Sequence, residues 1–424
     1  MPRSIAIPPR TASAPRLGRT SAFWVLAVTL GLLLLASSAP SPLYVVYQAK
    51  WGFSEIALTS VFAIYALALL GTLVIAGSVS DRVGRRATLL VALAIEIAAM
   101  ALFAQANGLA LLFAARMLQG VGTALAMGAI SAALLDLEPP SHPRLGALLG
   151  VAAPLSGLAL GALGSGLLVQ YGPDPTRLIY WLLLGVFALA LLIAPAVPET
   201  VTREGRLRDS LRPRIAVPSP LRVAFIATVP CLVATWALGG LVLSLGPSLT
   251  ATVLGNTSHA AGGVAIFIMA GVSAIASIRF RDAHARSTAR GGLAALILGV
   301  GLVLIALSQN SIALFFVGAG IAGLGFGPAF GGAFRALSSR APAGERAGLV
   351  SAILAVSYLA FSLPAVAAGA AVTRLGLQTT TDVYGIALIA LASLALALSH
   401  RLEDPGSEAS ARAEMVPAAG GGEA

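Results

Sequence analysis

The chain alternates between long apolar runs and short polar gaps. Apolar runs recur twelve times, at approximately residues 22–48, 55–79, 87–105, 108–135, 145–170, 178–197, 222–247, 260–279, 290–308, 311–336, 345–372 and 381–400. A run of about 20 residues is long enough to cross a bilayer as a helix. Hydrocarbon offers no hydrogen-bond partner for backbone N–H and C=O groups, so runs of this length must be helices. The strands of a membrane barrel would be about half as long and would alternate apolar and polar residues. The pattern therefore predicts an all-α membrane protein with twelve transmembrane helices.

Composition agrees with this prediction, since 58% of the residues are hydrophobic and 10% are charged. The formal net charge of +10 comes from arginines that follow the topology. The Lys and Arg residues lie in the two tails or in and next to the gaps that follow even-numbered runs. The four exceptions are Lys50, Arg116, Arg177 and Arg374. Because Lys and Arg accumulate in cytoplasmic loops, we expect a multi-pass protein of the cell (inner) membrane with both termini in the cytoplasm. The same distribution favours contact with anionic headgroups and argues against a nucleic-acid partner.

The first run permits a second interpretation. Residues 23–39, FWVLAVTLGLLLLASSA, resemble a secretory signal with a small-residue cleavage site. The apolar stretch continues through PLYVVY, however, and Pro40 would directly follow the cut. These features favour a retained span. Retention also preserves a counterpart for the run that begins near Arg222.

The longest polar interruption divides the runs into two sets of six. LQGVGTALAMG from Leu118 aligns with IAGLGFGPAFG from Ile321, and PRLGALLG from Pro143 aligns with ERAGLVSA from Glu345, both at an offset of about 203 residues. We therefore expect two pseudo-symmetric six-helix bundles, residues 21–197 and 221–402, joined by a cytoplasmic linker, 198–220. Residues 1–20 form an N-terminal tail and 403–424 a disordered one. Duplicated halves are typical of secondary transporters, whose substrate site lies between the repeats near the midplane.

The gap between the second and third runs carries a distinctive pattern, GSVSDRVGRR. The preference of cytoplasmic loops for arginine leaves its aspartate and its two glycines unexplained. The pattern resembles the signature loop of the major facilitator superfamily, matched here by Gly77, Asp81, Arg82, Gly84, Arg85 and Arg86. The resemblance implies a latch that holds the two halves together at the cytoplasmic side. It also implies that Asp81 pairs with an arginine or a helix N-terminus of the other half.

The two glycines have separate expected roles. Gly77 would let a neighbouring helix approach closely, and Gly84 would permit a tight turn. The equivalent loop of the second half, IRFRDAHARSTARGG from Ile278, keeps the charges but lacks the glycine spacing.

Two further stretches resemble motifs of the same family. RMLQGVGTALAMG resembles its R-x-x-x-G-x-G pattern, matched by Arg116, Gly120 and Gly122. An arginine within a span should face protein or water, and a purely structural arginine that ties helices together is the alternative. GVAAPLSGLALGALGSGLL resembles the antiporter motif of the drug-exporting branch, although only Pro154 and Gly157 match its core. Helix packing alone is the alternative explanation of this stretch.

Glu96 is the one acidic residue in the interior of a predicted run. It lies about 10 residues before the turn near Asn107, and Arg116 lies about as far after that turn, so both sit ~15 Å below it. We hypothesise that Glu96 and Arg116 form a proton-responsive pair. A Glu96 that packs without a role in transport is the alternative. The first run carries no acid, which departs from many drug–proton antiporters of the family.

The resemblance also assigns the first, fourth, seventh and tenth spans to a central cavity. The substrate candidates on these spans are Ser38, Tyr44, Gln119, Met127, Trp236, Phe326 and Phe330. Aromatic residues and Met with few polar partners suit a lipophilic solute better than a sugar. Packing without substrate contact is the alternative for each of them.

Other functional classes fit less well. The histidines are scattered along the sequence and form no enzyme site; they are His142, His259, His284 and His400. ATP-driven pumping is not supported, because the sequence contains no phosphate-binding loop and no lysine other than Lys50. The single cysteine excludes an internal disulfide and a Cys-based metal cluster, and we expect no metal and no cofactor. A channel would not explain the duplicated halves, whereas a sensor without flux stays open. The sequence predicts a monomeric, proton-coupled exporter of small lipophilic compounds. The alternative is a facilitator or symporter that imports a sugar, an organic acid or another metabolite.

Overall fold

Twelve helices long and apolar enough to cross a membrane make up the fold. The structure, a computed structural model, describes residues 17–201, 215–256, 258–342 and 344–401. Spans 1 to 12 run over Arg19–Trp51, Glu55–Ala76, Arg85–Ala104, Leu109–Asp136, Leu145–Tyr171, Leu178–Ala196, Ser219–Val253, His259–Arg279, Ala285–Ser308, Ile312–Ser338, Arg346–Leu375 and Leu377–Ser399. One short helix, Val79–Val83, connects spans 2 and 3. The predicted all-α membrane fold with twelve spans is confirmed, and the described residues contain no strand.

Local sequence signals set several helix ends. Ser54 and Ser311 precede spans 2 and 10, and their hydroxyls accept hydrogen bonds from backbone N–H groups of the first turn. Gly52 and Gly376 follow spans 1 and 11 with positive φ angles of 65° and 79°, which glycine adopts without strain.

Span 1 is divided at Pro40 into two helices, Arg19–Ser38 and Pro40–Trp51. Proline has no backbone N–H and cannot complete the helical hydrogen-bond ladder. At this break the hydroxyl of Ser165, in span 5, donates a hydrogen bond to the carbonyl of Ala39 at 2.5 Å. The break therefore joins span 1 to span 5.

The N-terminal and C-terminal sets of six spans meet where small residues let backbones approach. A Cβ atom on Gly263 of span 8 would overlap the carbonyl oxygen of Ala162 in span 5. A Cβ atom on Gly369 of span 11 would overlap the hydroxyl of Thr59 in span 2. Close approach through small residues is a common way to pack helices in lipid, where the hydrophobic effect does not drive helices together.

The two ends of the bundle differ in how tightly they are packed. We call the end that carries the loop between spans 2 and 3 the arginine-rich face, and the other end the opposite face. Every residue from 36 to 44 in span 1 is buried, and so is every residue from 237 to 250 in span 7 except Val242. In contrast, none of residues 222–230, at the arginine-rich end of span 7, is buried. The structure is therefore closed at the opposite face.

The proposed domain boundaries stay predictions. Residues 1–16 of the N-terminal tail, 202–214 of the linker and 402–424 at the C-terminus lie outside the described residues.

Gly157 provides a test of the packing between spans 1 and 5. A Cβ atom there would overlap the carbonyl oxygen of Gly31, whereas a Cβ atom on Gly164 of the same helix would meet nothing within 4 Å. We expect Gly157→Ala to lower the free energy of unfolding by about 1–3 kcal/mol through overpacking. Gly164→Ala carries the same gain in helix propensity and should be neutral or stabilising. Thermal unfolding of the purified protein checks this, and equal melting temperatures for the two variants would contradict it.

Candidate functional site

Arg116 is the centre of a buried polar network between spans 1 and 4. Its side chain has no solvent exposure. Its Nε donates to the hydroxyl of Tyr44 at 2.7 Å, and its Nη1 donates to the carbonyl of Ser37 and to the Oε1 atom of Gln119, both at 2.8 Å. The aromatic rings of Tyr44, Tyr65 and Phe103 lie 5.5, 5.1 and 6.0 Å from the guanidinium carbon. Three neutral acceptors thus provide hydrogen bonds to a guanidinium group that is buried away from water, and the aromatic ring faces stabilise its charge.

Glu96, on span 3, is also fully buried, and it contacts span 4 at a different place. Its Oε1 atom accepts a hydrogen bond from the hydroxyl of Thr123 at 2.7 Å. A Cβ atom on Gly122 would lie 3.0 Å from that oxygen, so the glycine leaves room for the carboxyl group. The Oε2 atom has no hydrogen-bond partner among the described residues.

Glu96 and Arg116 therefore do not form an ion pair in the described part of the chain. The sequence estimate of equal depth put both residues in the same layer of the membrane. In the structure the arginine side chain points to span 1, whereas the carboxyl group of Glu96 lies between spans 3 and 4. The hypothesis of a directly contacting couple does not match this conformation. A role of either residue in coupling stays a prediction.

A second group of side chains forms an aromatic cluster, which we define as Phe62, Trp236, Phe330, Tyr358 and Phe361. The indole of Trp236 in span 7 meets three rings edge-on, with centroid distances of 5.3 Å to Phe330, 4.8 Å to Tyr358 and 5.8 Å to Phe361. Phe361 in span 11 also contacts Phe62 in span 2 at 4.8 Å. The cluster thus connects the N-terminal and C-terminal sets of spans through rings.

The remaining cavity candidates lie in several environments. Ser38 is buried against span 5, where a Cβ atom on Gly161 would overlap its hydroxyl. Phe326 faces Gly239 of span 7, with its Cε2 atom 3.0 Å from where a Cβ atom would be. Met127 is partly buried and packs against the main apolar core. The structure brings Tyr44 and Gln119 together at Arg116 and Trp236 together with Phe330, and it places Ser38 and Phe326 at helix–helix contacts.

The predicted packing glycines lie at close helix contacts. A Cβ atom on Gly120 would overlap the carbonyl oxygen of Tyr65 in span 2, and Gly157 approaches span 1 as described above. Pro154 lies within span 5 and is partly buried.

The loop between spans 2 and 3 forms its ion pairs within its own half. Gly84 has a φ of 104°, the glycine-favoured conformation expected of a tight turn. Arg85 pairs with Asp136 at the end of span 4 at 2.6 Å and with Asp81 at 3.8 Å. A Cβ atom on Gly77 would overlap the carbonyl oxygen of Leu73 in its own chain segment, and a Cβ atom on Gly128 of span 4 would lie 3.8 Å from the carbonyl oxygen of Gly77.

The pairing of Asp81 with the other half, which the resemblance implied, is not made among the described residues. The carboxylate of Asp81 is 58% exposed and contacts only its own loop. At the arginine-rich face the two halves meet instead in an exposed ion pair, in which the Nη1 atom of Arg144 lies 3.8 Å from a carboxylate oxygen of Asp282. The signature loop itself makes no ion pair with the other half among the described residues.

Two acids that the sequence argument left aside hold helix N-termini at the arginine-rich face. Glu199, after span 6, accepts hydrogen bonds from the backbone N–H groups of Arg85 and Arg86 at 2.8 and 3.3 Å. Glu138, after span 4, accepts one from the N–H of Gly146 at 2.8 Å. A carboxylate near the positive end of a helix dipole is stabilising, and Glu199 fixes the loop to span 6.

Sequence reasoning missed Phe62, Tyr65, Thr123, Tyr358 and Phe361. Most of them lie on spans 2 and 11, which the resemblance did not assign to the cavity, and aromatic residues at helical spacing give no signal that separates packing from binding. Asp382 was also passed over, although it lies at the start of the predicted run 381–400. Because span 12 begins at Leu377, this acid lies about a turn and a half inside the helix. Glu96 is thus not the only acid within a span.

Comparisons with known proteins give one family. A sequence profile described as Major Facilitator Superfamily matches residues 26–363. A search of curated proteins finds no match. Among solved structures, the chain is similar to the crystal structure of a mutant of the nucleoside transporter NupG, with a TM-score of 0.69 and 14% sequence identity over 90% of this chain and 100% of that one. At this identity the likeness concerns the fold.

The Arg116 network predicts a graded response to substitution. Arg116→Lys keeps the charge but loses the planar fork that reaches three acceptors, and we expect it to lower the free energy of unfolding by about 1–3 kcal/mol. Tyr44→Phe removes one acceptor only and should cost less. Thermal unfolding of the two purified variants checks the order. A Tyr44→Phe variant that is less stable than Arg116→Lys would show that the guanidinium is not the centre of the network.

Proposed function

The chain belongs to the Major Facilitator Superfamily, and from that premise we propose that it exports small lipophilic compounds across the cytoplasmic membrane in exchange for protons. The family and the fold are those of multi-pass membrane transporters, which act on small molecules in a lipid bilayer. The proposal concerns the finer properties: the class of solute, the direction of transport and the coupling ion.

The observation that carries the proposal is the aromatic cluster. Its rings come from spans 2, 7, 10 and 11, and Trp236 is held edge-on by three of them. A sugar would need a dense set of hydrogen-bonding side chains, whereas ring faces and edges bind apolar and aromatic solutes. The cluster joins both halves, so that a solute bound there contacts the elements that move during alternating access.

Coupling to protons is assigned to Glu96. Its carboxyl group is the kind of group that binds and releases a proton, and it has one oxygen without a hydrogen-bond partner among the described residues. Thr123 holds its other oxygen to span 4, the helix that also carries Arg116 and Gln119. A change at Glu96 therefore reaches the polar network through one helix and needs no direct contact with Arg116.

The conformational cycle follows from the distribution of arginines. If the arginine-rich face lies in the cytoplasm, the structure corresponds to an inward-facing transporter that is closed toward the outside. The contacts of Gly263 with Ala162 and of Gly369 with Thr59 would then loosen in the outward-facing state. The loop from Gly77 to Arg86 would act as the cytoplasmic latch in that state, with Asp81 and Arg82 binding to groups of the other half.

Membrane vesicles of both orientations test the proposal. We expect a lipophilic substrate to accumulate in inverted vesicles whose lumen is acidic, because protons leaving the lumen drive the substrate inward. For one-to-one exchange, a difference of one pH unit supports up to about tenfold accumulation, the equivalent of 1.4 kcal/mol. Collapse of the pH gradient with a proton ionophore is the control. Accumulation in right-side-out vesicles with an acidic exterior would instead support proton-coupled import.

Glu96→Gln separates coupling from binding. Glutamine keeps an oxygen that can accept from Thr123 but cannot carry the proton, so we expect the effect of the pH gradient to be lost while exchange at equal pH continues. Asp382→Asn is the matched control, since it neutralises the acid within span 12, and it should keep the pH response. Transport by Glu96→Gln with an unchanged pH dependence would remove Glu96 from the mechanism.

A further inference from the structure

The buried hydrogen-bond donors around Tyr65 that have no partner among the described residues include the hydroxyl of Tyr65 itself, the side-chain amide nitrogen of Gln119, in span 4, and the indole nitrogen of Trp236, in span 7. The two nitrogen atoms are donors only, and they lie on different halves. Buried polar groups in proteins are nearly always hydrogen-bonded, so two unpaired donors in one region require an explanation. A ligand that supplies acceptors is such an explanation.

The orientation of the Gln119 amide is set by its neighbour. A guanidinium has only donors, and the Nη1 atom of Arg116 donates to the Oε1 atom of Gln119 at 2.8 Å. The oxygen end of the amide therefore faces the arginine, and the NH₂ end points away from it. Rotation of the amide by a half turn would place donors against donors, so Arg116 fixes which end is presented.

The orientation of the Trp236 ring is set by packing. Phe330, Tyr358 and Phe361 meet it at interplanar angles of 75°, 62° and 75°. Three edge contacts from two helices leave the ring little freedom to turn. An indole N–H is a donor only, so this group also seeks an acceptor.

A short series of side-chain contacts connects the two donors across the interface between the halves. Trp236 packs on a buried cluster that contains Tyr65, Ala124 and Tyr358. Tyr65 lies 5.1 Å from the guanidinium carbon of Arg116, and Arg116 donates to the Oε1 atom of Gln119. A solute that enters the aromatic cluster thus has one oriented donor on the N-terminal side and one on the C-terminal side.

We propose that this site selects planar aromatic solutes that carry hydrogen-bond acceptors, such as ring carbonyl oxygens. The rings bind the flat apolar skeleton, and the N–H groups of Gln119 and Trp236 bind its oxygens. Because both donors are held in place before binding, little conformational entropy is lost when the acceptor arrives. This assignment rests on the proposed function, since it specifies the solutes of the same site.

Three isosteric compounds test the selection: fluorene, 9-fluorenone and carbazole. They share a planar three-ring skeleton, and they differ in having no polar group, a carbonyl acceptor and an N–H donor. Equilibrium binding of the radiolabelled compounds is measured with the purified protein in lipid nanodiscs, with empty nanodiscs subtracted. We expect 9-fluorenone to bind the unmodified protein about fivefold to tenfold more tightly than fluorene, the effect of one hydrogen bond.

Substitution of the donor that binds the carbonyl oxygen should remove this preference. At least one of Gln119→Leu and Trp236→Phe is expected to reduce the ratio of the two affinities toward one. Gln119→Leu should change the affinity for fluorene little, whereas Trp236→Phe alters the ring contacts and should lower the affinity for all three compounds. Gln119→Glu keeps an acceptor for Arg116 and exchanges the donor for an acceptor, so carbazole should gain over fluorene in that variant. Thr235→Val is the control, because the Thr235 hydroxyl donates to the carbonyl of Cys231 within its own helix, and it should leave all ratios unchanged.

The outcomes separate this inference from the proposed function. Equal affinities of the unmodified protein for fluorene and 9-fluorenone would overturn the inference while leaving a lipophilic site in place. A preference for 9-fluorenone that persists in both Gln119→Leu and Trp236→Phe would overturn it as well. Failure of the protein to bind any of the three compounds would contradict the lipophilic site itself.

Discussion

A charge buried in hydrocarbon must find all its partners within the protein, and Arg116 is the residue on which this constraint acts most strongly. Placing an arginine at the centre of a span costs at least ~2.5 kcal/mol on insertion scales. The hydroxyl of Tyr44, the carbonyl of Ser37 and the amide of Gln119 offset that cost, and they tie span 1 to span 4. The positions of two helices and the orientation of a glutamine thus follow from one guanidinium.

Polar contacts and small-residue contacts are distributed differently across the fold. Strong polar contacts lie within the N-terminal set of spans, as with Arg85 and Asp136 or with Glu199 at the start of span 3. Between the two sets, the buried contacts include close approaches at glycines such as Gly263 and Gly369 and the meeting of Phe62 with Phe361. The polar contacts that cross between the sets lie at exposed positions, as with Arg144 and Asp282 or with the N–H of His259 and the Oε1 atom of Gln170. Contacts of the second kind separate without leaving a buried charge unpaired. The arrangement suits two rigid units that move against each other.

The polar network and the aromatic cluster meet at Tyr65. Its ring faces the guanidinium of Arg116, and it belongs to the buried group on which Trp236 packs. A site built from ring faces with a few oriented N–H donors can bind solutes of varied outline, because ring contacts depend weakly on the exact shape of an apolar skeleton. The proton-binding candidate, Glu96, stays outside this site and acts on it only through span 4.

The sequence by itself determined the number of spans, their approximate limits and the turn at Gly84. Apolar length, loop charge and the conformational freedom of glycine are local properties that need no knowledge of neighbours. Depth in the membrane could also be estimated, and it placed Glu96 and Arg116 in one layer. Only the tertiary structure decided that Glu96 bonds to Thr123, that Ser38 faces span 5, and that Tyr358 and Phe361 complete the aromatic cluster. The physical reason is that the partners of a side chain depend on the rotation of each helix about its axis and on which helices lie beside it. In a chain whose helices are apolar on nearly all sides, the packing of small and large residues sets the rotation of each helix and its neighbours. The sequence pattern along one helix does not determine either of these.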